Sequence, residues 1–466
     1  MREFELIIDD ALKNGLTPYD IVPFNTQILS KCLGFKCGKI GLESYKILSN
    51  PISPTINMYY IWPFPQYIVS EKYNILIVRN PINQEDNVYS ISDDYLTITH
   101  VFDVDELTFG KGTLMEVADF GKYLFMVNGV ISIYYDPVAL SWQQQVSSAT
   151  IPTMKTACNF KGQVVGGGIV SSWYDCDETF YVWSKIGSID FTLDLDNEAG
   201  YKRCPFGGNI YHTRRLGDGV IGYSSKGITL ITPVGSPSTT FGFSELSNIG
   251  LLNQGAMNGS IEHQVYVGED YILRDITKQG IKELGYQRYM KELINSEDII
   301  ISYDPSEKDF YIGNSEKTFL LSQKGLTEIT QHPSAVWYRN KEVSLIPSTN
   351  DIDKPYLCTE IFDMGYKGNK TIFSIESDAT MIDEPEAGID YSNDLNTWTD
   401  EVYKPINNQG IASNIVSGNM FRFRLRFSDI YDSMRISYMK IRYKMTDLRG
   451  LRGVYAPGLR GQNKGE

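Results

Sequence analysis

Histidine is scarce in this chain: four in 466 residues. His100, His212, His263 and His332 lie at least 50 residues apart. That leaves little raw material for metal centres or for general acid–base chemistry, and each is read as a strand or turn residue. Cysteine is nearly as rare, with six in all. Cys32 and Cys37 have four residues between them and no second close pair follows, so the spacing of a zinc knuckle is missing. Cys32, Cys37, Cys158, Cys176, Cys204 and Cys358 are read as reduced, mostly buried thiols of a protein made in cytosol. No run of 18 apolar residues occurs, and the opening Met-Arg-Glu-Phe-Glu-Leu-Ile-Ile-Asp-Asp has no long apolar core. Neither a membrane-spanning helix nor a signal peptide is expected.

Chemistry-bearing motifs are missing as well. Gly110-Lys111-Gly112-Thr113 lacks the Gly-Lys-Ser/Thr order of a phosphate loop and reads as a turn between strands. Gly166-Gly167-Gly168 ends a strand with no helix behind it, so a β-bulge is expected there. No Gly-x-Ser-x-Gly elbow and no His-Glu-x-x-His helix is present. Asp383-Glu384-Pro385-Glu386 lacks calcium-loop spacing and reads as a solvated loop. No catalytic, cofactor-binding or metal-binding residue is assigned, and no cofactor is expected.

What the chain has is turns. Tyr123–Tyr135 is an aromatic-rich strand, Asn128-Gly129, and a second strand. Asn-Gly is a strong hairpin signal because both positions of a two-residue turn take positive φ. Similar pairs flank Glu71-Lys72, Asp93-Asp94, Lys161-Gly162 and Lys226-Gly227. Two more surround Pro305–Lys308 and Gln323–Gly325. Tyrosine (31) and phenylalanine (21) supply the half-buried strand residues. This density of hairpins predicts an all-β repeat architecture, a β-propeller of five to seven blades at about 40–50 residues each. Leu195–Asn209 and Gly235–Asn258 read as long polar interruptions, and Gln287–Asn295 as a helix.

The pattern changes near Pro347–Pro355. Phe421–Phe427 alternates with Arg422, Arg424 and Arg426 on one face, and Tyr438–Lys444 with Lys440, Arg442 and Lys444. Such strands predict a β-sandwich with one buried face per sheet. The expected organisation is an N-terminal arm with first strands over 1–55, a propeller over 56–345, a sandwich over 350–447 and an extended tail over 448–466. Net charge is −14, yet residues 418–465 hold 11 Lys/Arg against three Asp, net +8, leaving about −22 for the rest. The basic strand faces admit two readings: an ordinary solvated face, or a surface that docks an acidic neighbour. The docking set would be Arg422, Arg424, Arg426, Lys440, Arg442 and Lys444, extended by Arg449, Arg452, Tyr455 and Arg460 of the tail.

Ser392-Asn-Asp394-Leu-Asn396-Thr-Trp398 resembles the Asp-box hairpin of sialidase-like propellers. It has Asn396 in place of Gly, is one residue short, and occurs once, outside the propeller region, so the reading is a structural turn rather than a hydrolase.

Four other stretches carry a wider resemblance: Val117–Gly129, Thr179–Phe191, Phe241–Gly259 with His263–Tyr271, and Phe362–Ile372 with Arg435–Arg452. In their order across some 350 residues they resemble the tail hub or nozzle proteins of short-tailed bacteriophages, the packaged-DNA stabilisation proteins. The resemblance implies a non-enzymatic, structural virion protein, synthesised in the bacterial host cytoplasm. It would form a homo-oligomeric ring, with a hexamer favoured, below the portal-adaptor ring. That ring continues the DNA channel, takes part in DNA ejection, and anchors tail fibre, spike or needle proteins. Genomic DNA would pass without sequence-specific binding, and the chain itself would not insert into a membrane. An acidic wall suits that passage because like charges repel a sliding polyanion. The alternative is a receptor- or glycan-binding β-propeller, with Tyr59, Tyr60 and Trp62 as candidate stacking residues.

Overall fold

The computed structural model describes residues 3–446 except 46–47, 49–58, 60, 71–73, 121–122, 137, 236–239, 294–297, 339–341, 346–353, 380–384 and 429–434. The Glu71-Lys72 turn, most of the Pro347–Pro355 linker, Asp383-Glu384 and the tail over 448–466 lie outside the described residues. The chain divides into two compact units, 48–316 with 332–348, and 1–47 with 317–331 and 349–466.

The first unit is a β-propeller. Five four-stranded antiparallel meanders follow one another over residues 66–105, 116–145, 154–203, 210–247 and 257–285. Two further hairpins, Ile300–Asp304 with Asp309–Gly313 and Ala335–Tyr338 with Glu342–Leu345, complete the series. Burial is deepest in each blade's second strand. In the second blade Leu124–Val127 is buried throughout, while its outermost strand Ser141–Gln145, Ser-Trp-Gln-Gln-Gln, is not. A strand covered on both faces must be apolar at every position, which is why Leu-Phe-Met-Val reads as an unbroken run.

Its period of two still sorts side chains to opposite neighbours. Leu124 and Met126 pack on Ile75, Ile77 and Val88 of the first blade. Phe125 and Val127 pack on Met154, Ala157 and Val164 of the third. Each such fully buried side chain is worth roughly 1.5–3 kcal/mol, so the inter-blade faces hold the propeller together. At the next face Tyr181, fully buried, lies against Gly222, where a Cβ would come within 2.3 Å of the tyrosine oxygen. The ring is closed by the last hairpin. Ser334 Oγ donates to Pro65 O at 2.8 Å in a buried bond, and Ala335 packs on the first blade's cluster.

The turns differ from one another in a way the dipeptides hide. Lys161 (φ 52°) and Gly162 (φ 83°) form the expected two-residue turn with both residues at positive φ. Asn128-Gly129 does not. Val127 pairs with Ser132, so four residues form the loop, and only Gly129 has positive φ. Asn128 Oδ1 accepts from the amides of Val130 and Ile131, and Gly129 N donates to Met154 O in the next blade. A side chain able to mimic the backbone turn has displaced the tight hairpin. The triple glycine inserts no extra residue either: the register is the same on both sides of Gly168, where φ is 70° and one ladder pair is missing between Met154↔Ile169 and Thr156↔Gly167. Gly167 instead admits Ile210 of the next blade, whose side-chain carbons would lie 3.0 Å from a Cβ. The two polar interruptions each contain a blade's outermost strand, Gly200–Arg203 and Phe241–Ser247. The helix spans Gln287–Glu292.

The second unit is a sandwich built from both ends of the chain. One sheet orders Thr318–Leu321, Leu326–Ile329, Leu29–Leu33, Tyr356–Thr359, Met420–Arg426, Glu386–Ser392 and Val402–Pro405. The other orders Glu3–Ile8, Met439–Met445, Lys370–Ser377 and Ile411–Gly418. A third, small sheet contains Phe35–Cys37, Leu42–Ser44 and Arg435–Ile436. Phe421, Phe423, Leu425, Met439 and Ile441 are buried, on the faces their alternation assigns. Asn414 Nδ2 ties the two large sheets together by donating to Ala387 O at 3.1 Å. The expected N-terminal arm is therefore part of this unit, as is the hairpin over 318–329, which the expected 56–345 propeller had included.

Candidate functional site: the propeller channel and the basic strand faces

Seven strands, one from each blade or hairpin, surround a cavity of about 360 Å³ on the propeller axis. Neutral side chains staple the wall. Gln66 exchanges two hydrogen bonds with the Met115 backbone, at 2.7 and 3.0 Å. Asn258 Nδ2 donates to Ile301 O at 2.9 Å. Gln254 accepts from Leu114 N and donates to Leu114 O and Lys155 O, joining the fifth blade's lead-in to the second and third blades.

Three blades converge on one buried polar cluster. Glu116 Oε2 lies 3.2 Å from His212 Nδ1, with the two side chains 13% and 4% exposed. Thr156 Oγ1 is 3.4 Å from the same nitrogen and 3.1 Å from Thr213 Oγ1. Burial pushes the Glu116 carboxyl up to about 8, against the opposing pull of Arg214. Burial, then Arg214, brings His212 down to about 3. Burial thus disfavours the charged form of each group, and the contact brings a carboxyl against an imidazole nitrogen. Arg214, two residues along the same strand, faces the same way. Its Nη2 reaches Gly259 O at 3.3 Å and Asn258 Oδ1 at 3.5 Å. No carboxylate is paired with it among the described residues.

Sequence reasoning missed this cluster. Glu116 and His212 are 96 positions apart, and no motif marks either. His100 and His263 each sit against an aspartate, Asp103 and Asp275, both at 2.7 Å, on other blades. Trp62 is at one mouth of the propeller, where its indole N–H donates to Asp298 O at 2.6 Å. Tyr59 packs on the first blade, and Tyr60 lies outside the described residues. All six cysteines are buried and none is in a disulfide.

The basic strand faces are in the sandwich, and each cation has a carboxylate beside it. Lys444 pairs with Glu3 at 2.8 Å. Arg442 reaches Glu376 at 3.1 Å and Glu5 at 3.5 Å, and Lys440 reaches Glu5 at 3.3 Å. Arg426 pairs with Glu386 and stacks on Tyr403 at 3.8 Å. Arg424 bonds Asp390 at 2.8 Å and Glu401 at 2.5 Å, and Arg422 stacks on Trp398 at 3.9 Å. The register explains it: Glu3↔Lys444, Glu5↔Arg442, Glu386↔Arg426 and Asp390↔Arg422 are direct cross-strand partners. These strand faces are therefore self-neutralised, and a docking partner would have to compete with existing ion pairs. Arg449, Arg452, Tyr455 and Arg460 lie outside the described residues.

Charge follows the units. The propeller unit has 33 acidic against 20 basic side chains, net −13, and the sandwich unit 24 against 23, net −1. The Asp-box-like segment is a turn in the sandwich, with Asp394 Oδ1 accepting from Asn396 N at 3.0 Å and Thr397 N at 2.8 Å. Ser392 Oγ and Thr397 Oγ1 also donate to the same carboxylate, at 3.1 and 3.2 Å.

No protein-family model and no curated protein matches the chain. Solved structures that it resembles include PorZ, a bacterial surface component of the type-IX secretion system of Porphyromonas gingivalis, at 10% identity and a TM-score of 0.35. That match covers 73% of this chain and 45% of the other. The WD40 domain of Neurospora crassa Pan2 matches at 6% identity and a TM-score of 0.37, over 66% and 88% of the two chains. The extracellular domain of a putative hybrid two-component system from B. thetaiotaomicron matches at 12% and 0.38, over 75% and 45%. The match thus spans less than half the length of the PorZ chain and of the two-component system's extracellular domain.

Proposed function

We propose that this chain is a structural virion protein, a tail hub or nozzle of a short-tailed bacteriophage, assembled as a ring, most simply a hexamer. It would continue the DNA channel below the portal-adaptor ring and anchor fibres, spikes or a needle. The observation that carries this reading is the pairing of an acidic propeller, net −13, with a sandwich of nearly zero net charge, in the order the sequence resemblance implies. A wall of one sign repels DNA over about 8 Å at physiological salt, so a genome can slide without sticking. Fold alone does not assign function, so the reading rests on that charge division and on the motifs of the sequence.

The reading is non-enzymatic. Asp394, in the Asp-box-like segment, spends its carboxylate on the turn amides and hydroxyls around it. Docking would then fall to the tail segment with Arg449, Arg452, Tyr455 and Arg460, since the strand cations are already paired. The test is deletion of residues 448–466 in the phage that encodes the chain. The reading expects a folded subunit that assembles tails poorly. Particles that assemble, retain their DNA and infect normally would refute this docking role.

A further inference from the structure

The wall of the propeller channel is chemically uneven. Its amides are spent on staples: Gln66, Gln254 and Asn258 each bond backbone groups of neighbouring blades. Its hydroxyls are spent too, with Thr213 Oγ1 donating to Val165 O at 3.2 Å. Two arginines line it: Arg215 turns its Nε to Gly217 O at 3.1 Å, and Arg214 reaches towards the fifth blade. The Arg214 guanidinium carries five donors, and only Nη2 has partners, at 3.3 and 3.5 Å, both at the long end of a hydrogen bond. Nε and Nη1 have none among the described residues.

Arg214 is half-buried on the cavity wall, so its free donors face the cavity rather than the packed interior. The adjacent acid, Glu116, places its Oε2 3.2 Å from His212 Nδ1 and makes no ion pair with the guanidinium. One unpaired guanidinium, a fork geometry suited to two oxygens, and a cavity of about 360 Å³ together describe a receptor for a small anion.

We propose that the propeller channel binds a small oxyanion, a carboxylate or a phosphate, through the Arg214 guanidinium beside the Glu116–His212 pair. Planar carboxylates fit the fork with two oxygens, and phosphate offers the same edge. The site is independent of the tail-hub reading, since it uses only the propeller's inner strands. Its ligand would neutralise Arg214 and so tie the fourth and fifth blades to whatever occupies the axis.

Isothermal titration and thermal shift on the full chain test this, with sodium acetate and sodium phosphate as separate probes and sodium chloride at matched ionic strength as the control. Saturable binding of one or both probes, absent with chloride, is expected, with affinity at least tenfold weaker in Arg214→Met. Arg214→Lys, which keeps the charge and loses the fork, should fall between the two and guards against a folding defect in the first variant. Binding of acetate alone identifies a carboxylate site, and binding of phosphate alone a phosphate site. No saturable binding to the parent protein, or equal binding by parent, Arg214→Met and Arg214→Lys, would overturn the proposal.

Discussion

Lys444 stands directly opposite Glu3 in the sandwich register, with Nζ 2.8 Å from Oε1, although 440 residues separate them. The contact joins the first strand of the chain to the last described one. It is solvated, with Glu3 66% exposed, so it adds little to stability. Lys444→Ala should shift the chemical-denaturation midpoint of the sandwich very little.

Arg424 is the contrasting case. Its partner Asp390 is only 4% exposed. Arg424→Ala leaves that carboxylate buried with Arg422, 3.9 Å away, as its remaining cation. The expected loss is about 3 kcal/mol, and adding Asp390→Asn should recover part of it. Urea denaturation of the single and double variants checks both statements. A loss for Arg424→Ala no larger than for Lys444→Ala would show that the buried pair is not what holds these strands.

Stability should depend on pH through the channel pair. Glu116 has a folded pKa of about 8 against 4.5 for the free side chain, so the native state holds the extra proton between those values. Its contribution is therefore present below pH 4.5 and is lost as pH rises through 8. His212 runs the other way: its folded value of about 3, against 6.5, costs stability as pH falls from 6.5 towards 3. Glu116→Gln should remove the loss between pH 4.5 and 8, which shows in the parent chiefly above pH 6.5 where His212 no longer opposes it, and leave the His212 limb below pH 6.5 in place. Melting temperature against pH for the two proteins measures this.

Lys370 gives a third titration, in the sandwich. It is fully buried, and its ammonium donates to Asp363 O at 2.9 Å and to Tyr366 O. Burial brings its pKa down to about 8 from 10.5. The unfolded chain binds the proton more tightly, so this residue's contribution rises with pH between 8 and 10.5. Lys370→Met should flatten that part of the sandwich's stability profile.

Gly222→Ala should destabilise the propeller by about 1–3 kcal/mol, because the new methyl would overlap the buried Tyr181 ring of the preceding blade. Thermal unfolding followed by tyrosine fluorescence reports it. A neutral substitution would mean that the blade interface yields more easily than its packing implies.

Local features of the fold were legible in the sequence because they depend on local chemistry. Lys161-Gly162 makes the turn that its glycine allows, and the alternation of Phe421, Phe423 and Leu425 puts them in the core. Asn128-Gly129 looked stronger and was not the same turn, since a neighbouring blade supplied Met154 O as an acceptor. The blade number could not be read, because each blade holds several turns that look alike in sequence and the last member, Ala335–Tyr338 with Glu342–Leu345, has two strands rather than four. The site was the least legible part. The basic faces were visible as a period of two, but their neutralising partners, Glu3, Glu5, Glu376, Glu386 and Asp390, come from strands placed beside them only by folding. The channel cluster draws on three blades and leaves no spacing signature at all.

The most direct test of the tail-hub reading is electron microscopy of the purified chain and of the particles that contain it. The reading predicts class averages of a closed ring, six copies in the simplest case, around a central hole, and the same ring beneath the portal in assembled particles. Monomers in solution together with isolated copies on the capsid surface would contradict it.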